Sequence, residues 1–232
     1  MRRGRGRPPV LSEIAGSAAG DPRAWSMRRA DLESLSSLLG QLPGRRSVLL
    51  CGEEALAGSI ALAGAAAAVG RRAALLECDL ARPRLAAELG LASGPGLHEY
   101  LRWEASAERV LQPVALAGPA AGAASQLACV VGGAPAGDPA TLLDLESFRH
   151  AVAKMRRAYD LLVLSGPSLD GEQAALEAAA ASVDSVLVAI PPRRRSGRPG
   201  RELRAALRRL PIEMLGTLVV GVGAEPIAGQ RS

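Results

Sequence analysis

The chain has 232 residues, of which 48% are hydrophobic, 22% charged and 2% aromatic, with a formal net charge of +5. The high apolar share excludes a disordered chain, and so few aromatic residues exclude a stacking platform for single-stranded nucleic acid. Cys51, Cys78 and Cys129 are scattered along the chain and odd in number. They predict reduced thiols in a cytoplasmic protein rather than a disulfide framework.

Short apolar runs alternate with helical patterns along most of the chain. Residues 1–25, rich in arginine, glycine and proline, predict a flexible basic tail. We expect one domain over residues 26–224 and a short C-terminal tail over residues 225–232. The predicted strands are Ser47–Cys51, Ala73–Cys78, Leu127–Val131, Leu161–Leu164, Ser185–Ile190 and Leu215–Val222. The predicted helices are Met27–Leu42, Ser59–Val69, Ser147–Ala158, Glu172–Ala181 and Gly200–Leu210.

These strand patterns lack polar alternation, which indicates burial on both faces of a sheet. Because helices separate the strands, we predict a doubly wound α/β fold with a mainly parallel sheet flanked by helices. The longest apolar stretch is short and made mostly of alanine and glycine, so we expect no membrane span.

Positive charge is concentrated in residues 1–9 and 193–209, which carry net charges of +4 and +7, so the rest of the chain is mildly acidic. Such segments can contact nucleic acid or anionic lipid, and the alternative is an ordinary solvated surface. Arg193, Arg194 and Arg195 follow the predicted strand Ser185–Ile190 at its carboxyl end. We hypothesise that they reach an anion at the ligand-binding edge of the sheet.

The loop after the first predicted strand is a candidate phosphate-binding site, because open α/β sheets bind ligands at the carboxyl ends of their strands. Gly52 and Ser59 match the first and last positions of the pattern GxxxxGK[ST]. However, Ala57 replaces the second glycine and Gly58 the lysine. We predict weak or absent nucleotide binding by Gly52, Glu53, Glu54, Ala55, Leu56, Ala57, Gly58, Ser59 and Ile60. Ser59 would bind Mg²⁺; the alternative is a glycine-rich turn without a ligand.

Several ordered segments resemble the cytoplasmic P-loop domain of bacterial tyrosine kinases of the capsular/exopolysaccharide family, within the MinD/ParA group of ATPases. Arg71–Pro83 resembles the family's GKRVLLVDADLRRP segment, and Tyr159–Pro167 resembles its YDYVIIDSPP segment. Further similarity is found in Gly96–Leu101, Glu104–Ser106, Val110–Pro113 and Gly133–Leu143. The resemblance implies a P-loop fold and a site for ATP or ADP with Mg²⁺.

The chain departs from this family where the family's chemistry resides. The catalytic lysine corresponds to Gly58, or to Ala55 when the family's GEGKST is aligned with Gly52–Ala57. The Walker B aspartate corresponds to Ser165, which is neutral and cannot replace a charge near the metal. Substrate tyrosines at the C-terminus are missing. Glu77 and Asp79 remain as candidate catalytic residues, with Asp79 also a candidate Mg²⁺ ligand; alternatively, both cap the turn that follows or pair with Arg82 or Arg84.

The resemblance and these losses predict a degenerate, weakly active or inactive ATPase or tyrosine-kinase-like partner in exopolysaccharide or capsule biosynthesis. Its partners would be a membrane polysaccharide co-polymerase, or chain-length regulator, and further copies of the chain. One alternative is an active tyrosine kinase with an altered site. Another is a MinD/ParA-like positioning ATPase whose Arg193–Arg209 segment binds membrane or DNA. We expect a cytoplasmic protein, with the inner face of the membrane as a place of action.

Overall fold

The computed structural model describes residues 9–14, 25–26, 29–42, 44, 46–117, 126–167, 173–194, 207–210, 212 and 214–221. Within these ranges the strands are β1 (Val10–Ile14), β2 (Trp25–Ser26), β3 (Ser47–Cys51), β4 (Ala73–Glu77), β5 (Leu111–Ala117), β6 (Gln126–Val130), β7 (Leu161–Ser165), β8 (Ser185–Ile190) and β9 (Met214–Val220). The helices are α1 (Arg29–Gly40), α2 (Ala55–Ala68), α3 (Leu85–Leu89), α4 (Leu97–Leu101), α5 (Ala107–Val110), α6 (Pro139–Asp144), α7 (Glu146–Ala158) and α8 (Gln173–Ala180).

The nine strands of the described residues form one sheet in the order β1-β9-β8-β3-β7-β4-β6-β5-β2. Neighbouring strands are parallel except β5 and β6, which pair antiparallel. This topology confirms the predicted doubly wound α/β fold. All six predicted strands form; two have the predicted ends, and the ends of the other four differ by at most two residues.

Both faces of the sheet are buried, as strands without polar alternation require. In β3, Val48 and Leu50 pack into the core beneath α1 and α2, whereas Leu49 and Cys51 face the opposite core. That second core contains Phe148 of α7 and Leu176 of α8. Because helices cover both faces, the strand ends and their loops are the surfaces that the sheet leaves for ligands.

The prediction of a flexible tail over residues 1–25 is wrong for Val10–Ile14 and for Trp25, which begins β2, whereas residues 1–8 and 15–24 lie outside the described residues. The segment Val10–Ile14 pairs in parallel with β9, and the side chain of Ile14 is 2% exposed. Gly216 of β9 allows the close approach, because a Cβ atom there would lie 2.7 Å from the Pro9 carbonyl oxygen. The neighbouring strand therefore fixes β1 through backbone hydrogen bonds and through burial of Ile14.

Two other predictions lie partly outside the described residues. Within the predicted basic helix Gly200–Leu210, residues 207–209 are helical, and residues 200–206 lie outside the described ranges. The predicted C-terminal tail, residues 225–232, also lies outside them. None of the helices that the structure describes is both long and apolar enough to cross a lipid bilayer.

Candidate functional site

The candidate site lies at the carboxyl edge of four neighbouring parallel strands, β8, β3, β7 and β4. The strand register places Ser165, the last residue of β7, between Leu50 of β3 and Glu77 of β4. The loops that follow these strands carry the residues predicted from the sequence. The topology therefore brings Glu53, Ser165 and the Glu77–Asp79 segment to one edge of the molecule.

The loop after β3 is short, because only three residues separate the end of the strand from the start of α2. Gly52 has φ +112°, and a Cβ atom at that position would lie 2.4 Å from the carbonyl oxygen of Ala189. The backbone N–H of Glu54 donates a hydrogen bond to the same oxygen at 3.3 Å. Gly52 is therefore required for the loop to pack tightly against the end of β8.

The geometry of the loop disfavours the first of the two alignments of the phosphate-binding pattern. GxxxxGK[ST] places the lysine at Gly58, but Gly58 lies inside α2 and its N–H donates to the Glu54 carbonyl at 2.9 Å. A Cβ atom on Gly58 would meet Leu50, Leu218 and Ala189 side chains at 3.0–3.2 Å, so this position faces the core. The second alignment places the lysine at Ala55, where α2 begins.

Six of the predicted nucleotide-binding residues lie in the first two turns of α2, and three precede it. Gly52, Glu53 and Glu54 form the loop, whereas Ala55, Leu56, Ala57, Gly58, Ser59 and Ile60 are helical. Ser59 is fully buried, and its Oγ atom has no hydrogen-bond partner. A hydrated Mg²⁺ ion needs an accessible hydroxyl, so this burial does not favour the predicted role of Ser59.

Two arginine side chains bind the loop carboxylate of Glu53. Arg193 Nη2 lies 2.8 Å from Glu53 Oε2, and Arg194 Nη2 lies 2.5 Å from Glu53 Oε1. Both arginines lie in a short 3-10 turn after β8. We hypothesised from the sequence that Arg193, Arg194 and Arg195 reach an anion at the sheet edge. For Arg193 and Arg194 this anion is a carboxylate of the chain itself, whereas Arg195 lies outside the described residues.

Glu54 lies in the same cluster of charges. The pKa of the Glu54 carboxyl is raised overall, mainly by partial burial. The neighbouring Glu53 also raises it, whereas the positive charges of Arg193 and Arg84 lower it. Arg84, in the loop after β4, is therefore close enough to act on the loop electrostatically. The cluster joins loops that follow β3, β4 and β8.

Glu77 is buried at the end of β4 with 1% of its surface exposed. Its Oε1 atom accepts hydrogen bonds from the N–H groups of Arg84 at 2.6 Å and Leu85 at 2.8 Å, and Oε2 accepts from Gly132 N–H at 2.7 Å. The pKa of Glu77 is raised overall, mainly by burial. The three backbone hydrogen bonds lower it, and the charge of Asp79 raises it. Three backbone N–H groups thus donate to the carboxylate, which matches the alternative that Glu77 caps the turn after β4.

Asp79 also accepts a local backbone hydrogen bond. Its Oδ1 atom lies 3.2 Å from the N–H of Arg82, and 9% of the residue is exposed. The hydrogen bond closes the turn after β4, and the partial exposure leaves Asp79 more accessible than Glu77. In the described residues, no group of three histidine, cysteine, aspartate or glutamate side chains could hold a metal ion.

Ser165, which the family resemblance aligns with the Walker B aspartate, is the last residue of β7 and is 2% exposed. Its carbonyl oxygen accepts the N–H of Cys78 at 2.8 Å, and the next residue, Gly166, donates its N–H to the Leu50 carbonyl at 2.8 Å. A Cβ atom on Gly166 would lie 2.6 Å from that carbonyl oxygen. The Walker B backbone is thus fixed by its neighbours, while its side chain is neutral.

A second network, which the sequence did not predict, lies beside Glu77. Glu99 accepts the N–H of Gly96 at 2.7 Å and the N–H of Ala134 at 2.9 Å. The pKa of Glu99 is lowered overall. Burial raises it, but the backbone hydrogen bonds lower it by more. The spacing of Gly96 and Glu99 at the start of α4 resembles a capping box and was the available signal.

The thiols do not form a reactive site. All three cysteines are free and buried. Burial raises the pKa of Cys51 and of Cys129 to about 12. Burial also raises the pKa of Cys78, and the charges of Glu77 and Asp79 raise it further. Because their thiolates are disfavoured, none of the three cysteines is a candidate nucleophile.

The residues at this edge do not fit Mg²⁺ and a nucleotide in the way that a P-loop holds them. The loop presents two carboxylates, and the guanidinium groups of Arg193 and Arg194 bind one of them, that of Glu53. Ser59 is buried and Ser165 is neutral. A phosphate in the loop would therefore meet negative charge where the pattern provides a cation.

The doubly wound α/β sheet, with its tight glycine loop after β3, is the fold that solved bacterial tyrosine kinase domains share. Solved kinase domains of bacterial tyrosine kinases are similar over most of the chain. The BceF tyrosine kinase domain superposes with a TM-score of 0.72 at 19% identity, covering 93% of this chain and 94% of that one. The kinase domain of the Escherichia coli tyrosine kinase ETK gives 0.68 at 17% identity, covering 97% and 95%.

The chimerical protein CapA2B2 is similar with a TM-score of 0.72 at 13% identity, over 94% of this chain and 96% of that one. A more distant likeness, with a TM-score of 0.52 at 17% identity over 75% of this chain and 71% of that one, is cobyrinic acid a,c-diamide synthase from Mycobacterium smegmatis with bound ADP and magnesium. No protein-family model matches the sequence, and no curated protein matches it. The similarity is therefore one of fold.

Proposed function

We propose that this chain is a catalytically weak or inactive member of the bacterial tyrosine-kinase-like P-loop group, retained for the surface that its fold presents. The observation that carries the proposal is the binding of Glu53 by Arg193 and Arg194 in the loop where a P-loop protein binds phosphate. A carboxylate in this position repels phosphate and engages the nearby cations.

The binding energy that is lost with the lysine and the Walker B aspartate supports the same conclusion. A lysine paired with a phosphate is a charge-assisted contact of about 1.5–3 kcal/mol, or roughly a 10- to 150-fold change in affinity. Ser165 in place of the Walker B aspartate removes a second charge that would hold Mg²⁺. We therefore expect ATP or ADP with Mg²⁺ to bind weakly or not at all, and turnover to be slow or absent.

We place this function in the assembly of exopolysaccharide or capsule, at the cytoplasmic face of the membrane. Support comes from the similarity of fold to the kinase domains of BceF and ETK. The proposed partner is the cytoplasmic end of a membrane polysaccharide co-polymerase, and self-association would complete the assembly. Binding of nucleic acid or anionic lipid by residues 193–209 is a weaker alternative that rests on their charge alone.

A complementation experiment tests this function. A strain lacking the gene should show altered amount or chain length of surface polysaccharide. The Asp79→Asn variant should restore the wild-type polysaccharide, because a non-catalytic protein does not need this carboxylate for turnover. Glu88→Gln, an exposed acid on α3, is the matched control. Failure of a folded Asp79→Asn variant, with success of the control, would contradict the proposal.

The competing function is an active tyrosine kinase with an altered site. Asp79 favours it only in that its carboxylate lies at the correct edge of the sheet and is 9% exposed, against 1% for Glu77. Phosphotyrosine formation by purified protein with ATP and Mg²⁺, abolished in Asp79→Asn, would establish this function instead. We expect no phosphotyrosine above the level given by the variant.

A further inference from the structure

The contact between Glu53 and the arginine pair suggests more than the loss of an ATP site. Glu53 and Arg193 are separated by 140 residues, yet their side chains meet across the loops that follow β3 and β8. Both oxygens of the carboxylate are used, one by each arginine. The side chain of Glu53 is 35% exposed, so the contact lies at the surface of the site.

We infer that Glu53 acts as a built-in anion, which occupies a phosphate-binding position made by Arg193 and Arg194 and keeps it closed to other anions. The ligand class that this position accepts is a polyphosphate group, and its binding requires displacement of the Glu53 carboxylate. This inference rests on the proposed function, because it explains why the loop does not take a nucleotide in the resting protein.

The chemistry of the groups supports this assignment. Guanidinium groups bind carboxylates and phosphates through the same planar set of N–H donors, so the one anion can replace the other. Glu53, Glu54, Arg84, Arg193 and Arg194 together carry a net charge of +1. Removal of the Glu53 charge raises this value to +2 and leaves two guanidinium groups without that partner.

Packing of the loop backbone makes the closed arrangement specific. Gly52 contacts the end of β8 directly, and Glu54 N–H donates to the Ala189 carbonyl, three residues before the turn that holds the arginines. These contacts fix the loop against the end of β8, which leads into the turn that holds the arginines. The ion pairs add a side-chain connection that a polyphosphate must break.

Titration calorimetry of the full chain with inorganic pyrophosphate, without Mg²⁺, tests the inference. We expect Glu53→Gln to bind pyrophosphate at least about tenfold more tightly than the wild type, the effect of roughly one charge-assisted contact. The control is Glu33→Gln, which removes an exposed carboxylate paired with Arg29 at 3.1 Å on α1. Adding Arg193→Gln and Arg194→Gln to Glu53→Gln should abolish the gain.

Equal pyrophosphate binding by Glu53→Gln and the wild type would overturn the inference, and so would a gain that survives loss of both arginines. A second measurement covers the case in which Glu53→Gln does not fold. Hydrogen exchange of the Arg193→Gln/Arg194→Gln variant should be faster than wild type in peptides covering residues 52–57. Unchanged exchange there would also overturn it.

The same experiments distinguish this inference from the proposed function. Tight binding of Mg·ATP by the wild type would contradict the proposed function itself. Weak binding of pyrophosphate by both the wild type and Glu53→Gln would leave the proposed function intact. It would contradict only the inference that Glu53 acts as a built-in anion.

Discussion

Glu77 and Gly132 lie at the carboxyl ends of β4 and β6, and the Glu77 carboxylate accepts the Gly132 N–H at 2.7 Å. The other oxygen of this carboxylate accepts the N–H groups of Arg84 and Leu85, at the start of α3. A residue that resembles a catalytic acid in the sequence thus joins two strand ends and one helix in the structure. This bonding holds the ends of β4 and β6 and the start of α3 together.

Replacement of Glu77 by glutamine should reduce stability much more than it affects any activity. The amide can accept from the backbone with its oxygen, but its NH₂ group then faces a donor, so at least one buried N–H loses its partner. We expect the free energy of unfolding to fall by about 2–4 kcal/mol, the cost of one or two buried unpaired groups. Urea denaturation measures this change.

The control for Glu77→Gln is Glu88→Gln, an exposed acid on the adjacent helix α3. It should change the free energy of unfolding by less than about 0.5 kcal/mol. A Glu77→Gln protein as stable as the control would show that the fold does not need the buried carboxylate. Glu77 would then again be a candidate catalytic residue.

A lysine at Gly58 should unfold the protein rather than restore catalysis. A side chain at this position enters contacts of 3.0–3.2 Å with Leu50, Leu218 and Ala189, so the ammonium group would be forced into the core. Ala57→Lys, on the exposed neighbouring residue of the same helix, is the control and should leave the melting temperature nearly unchanged. Equal melting temperatures for the two variants would contradict the position of Gly58 in the core.

Ala55→Lys places a lysine where α2 begins, the second alignment of the pattern. We expect no ATP hydrolysis from this variant, because Ser165 still lacks the carboxylate that would hold Mg²⁺. Phosphate release over time, compared with that of the wild type, measures the outcome. Robust turnover would show that the Walker B loss matters less than the loss of lysine.

Asp160 should contribute to the pH dependence of stability. Hydrogen bonds from the Arg72 side chain and backbone lower the pKa of Asp160 to about 2. Because the folded-state pKa lies below the unfolded-state value near 3.8, the contribution is present above pH 4 and is lost as the pH falls towards 2. The difference in free energy of unfolding between the wild type and Asp160→Asn should therefore shrink over that range.

Asp144→Asn is the control, because Asp144 is also an exposed acid paired with an arginine, Arg149 at 3.0 Å. Denaturation at several pH values between 2 and 6 compares the three proteins. A wild type that exceeds Asp160→Asn by the same amount at pH 2 and pH 6 would contradict the assigned hydrogen bonds.

The central strands could be predicted because both of their faces are buried, so their residues form continuous apolar runs. The strands at or next to the edges of the sheet, β1, β2 and β5, gave no such signal. β1 depends on pairing with β9, and β5 contains Pro113, which weakens a strand pattern in the sequence. The start of α2 was placed at Ser59 rather than Ala55, because alanine and glycine fill its first turns and give no periodicity.

The candidate site could be predicted in position but not in its bonding. The ends of the apolar runs located Gly52, Glu77 and Ser165 at one sheet edge, because parallel strands share a direction. The ion pairs of Glu53 join residues 140 positions apart, and no local pattern encodes such a contact. The three backbone hydrogen bonds of Glu77 likewise depend on how loops fold back.

The most direct test of the central claim is titration calorimetry of the wild-type protein with Mg·ATP and Mg·ADP. We predict no measurable binding below about 1 mM, because the loop offers carboxylates where a phosphate needs cations. Binding of either nucleotide at micromolar concentration would contradict the claim and would show that this loop still works as a nucleotide site.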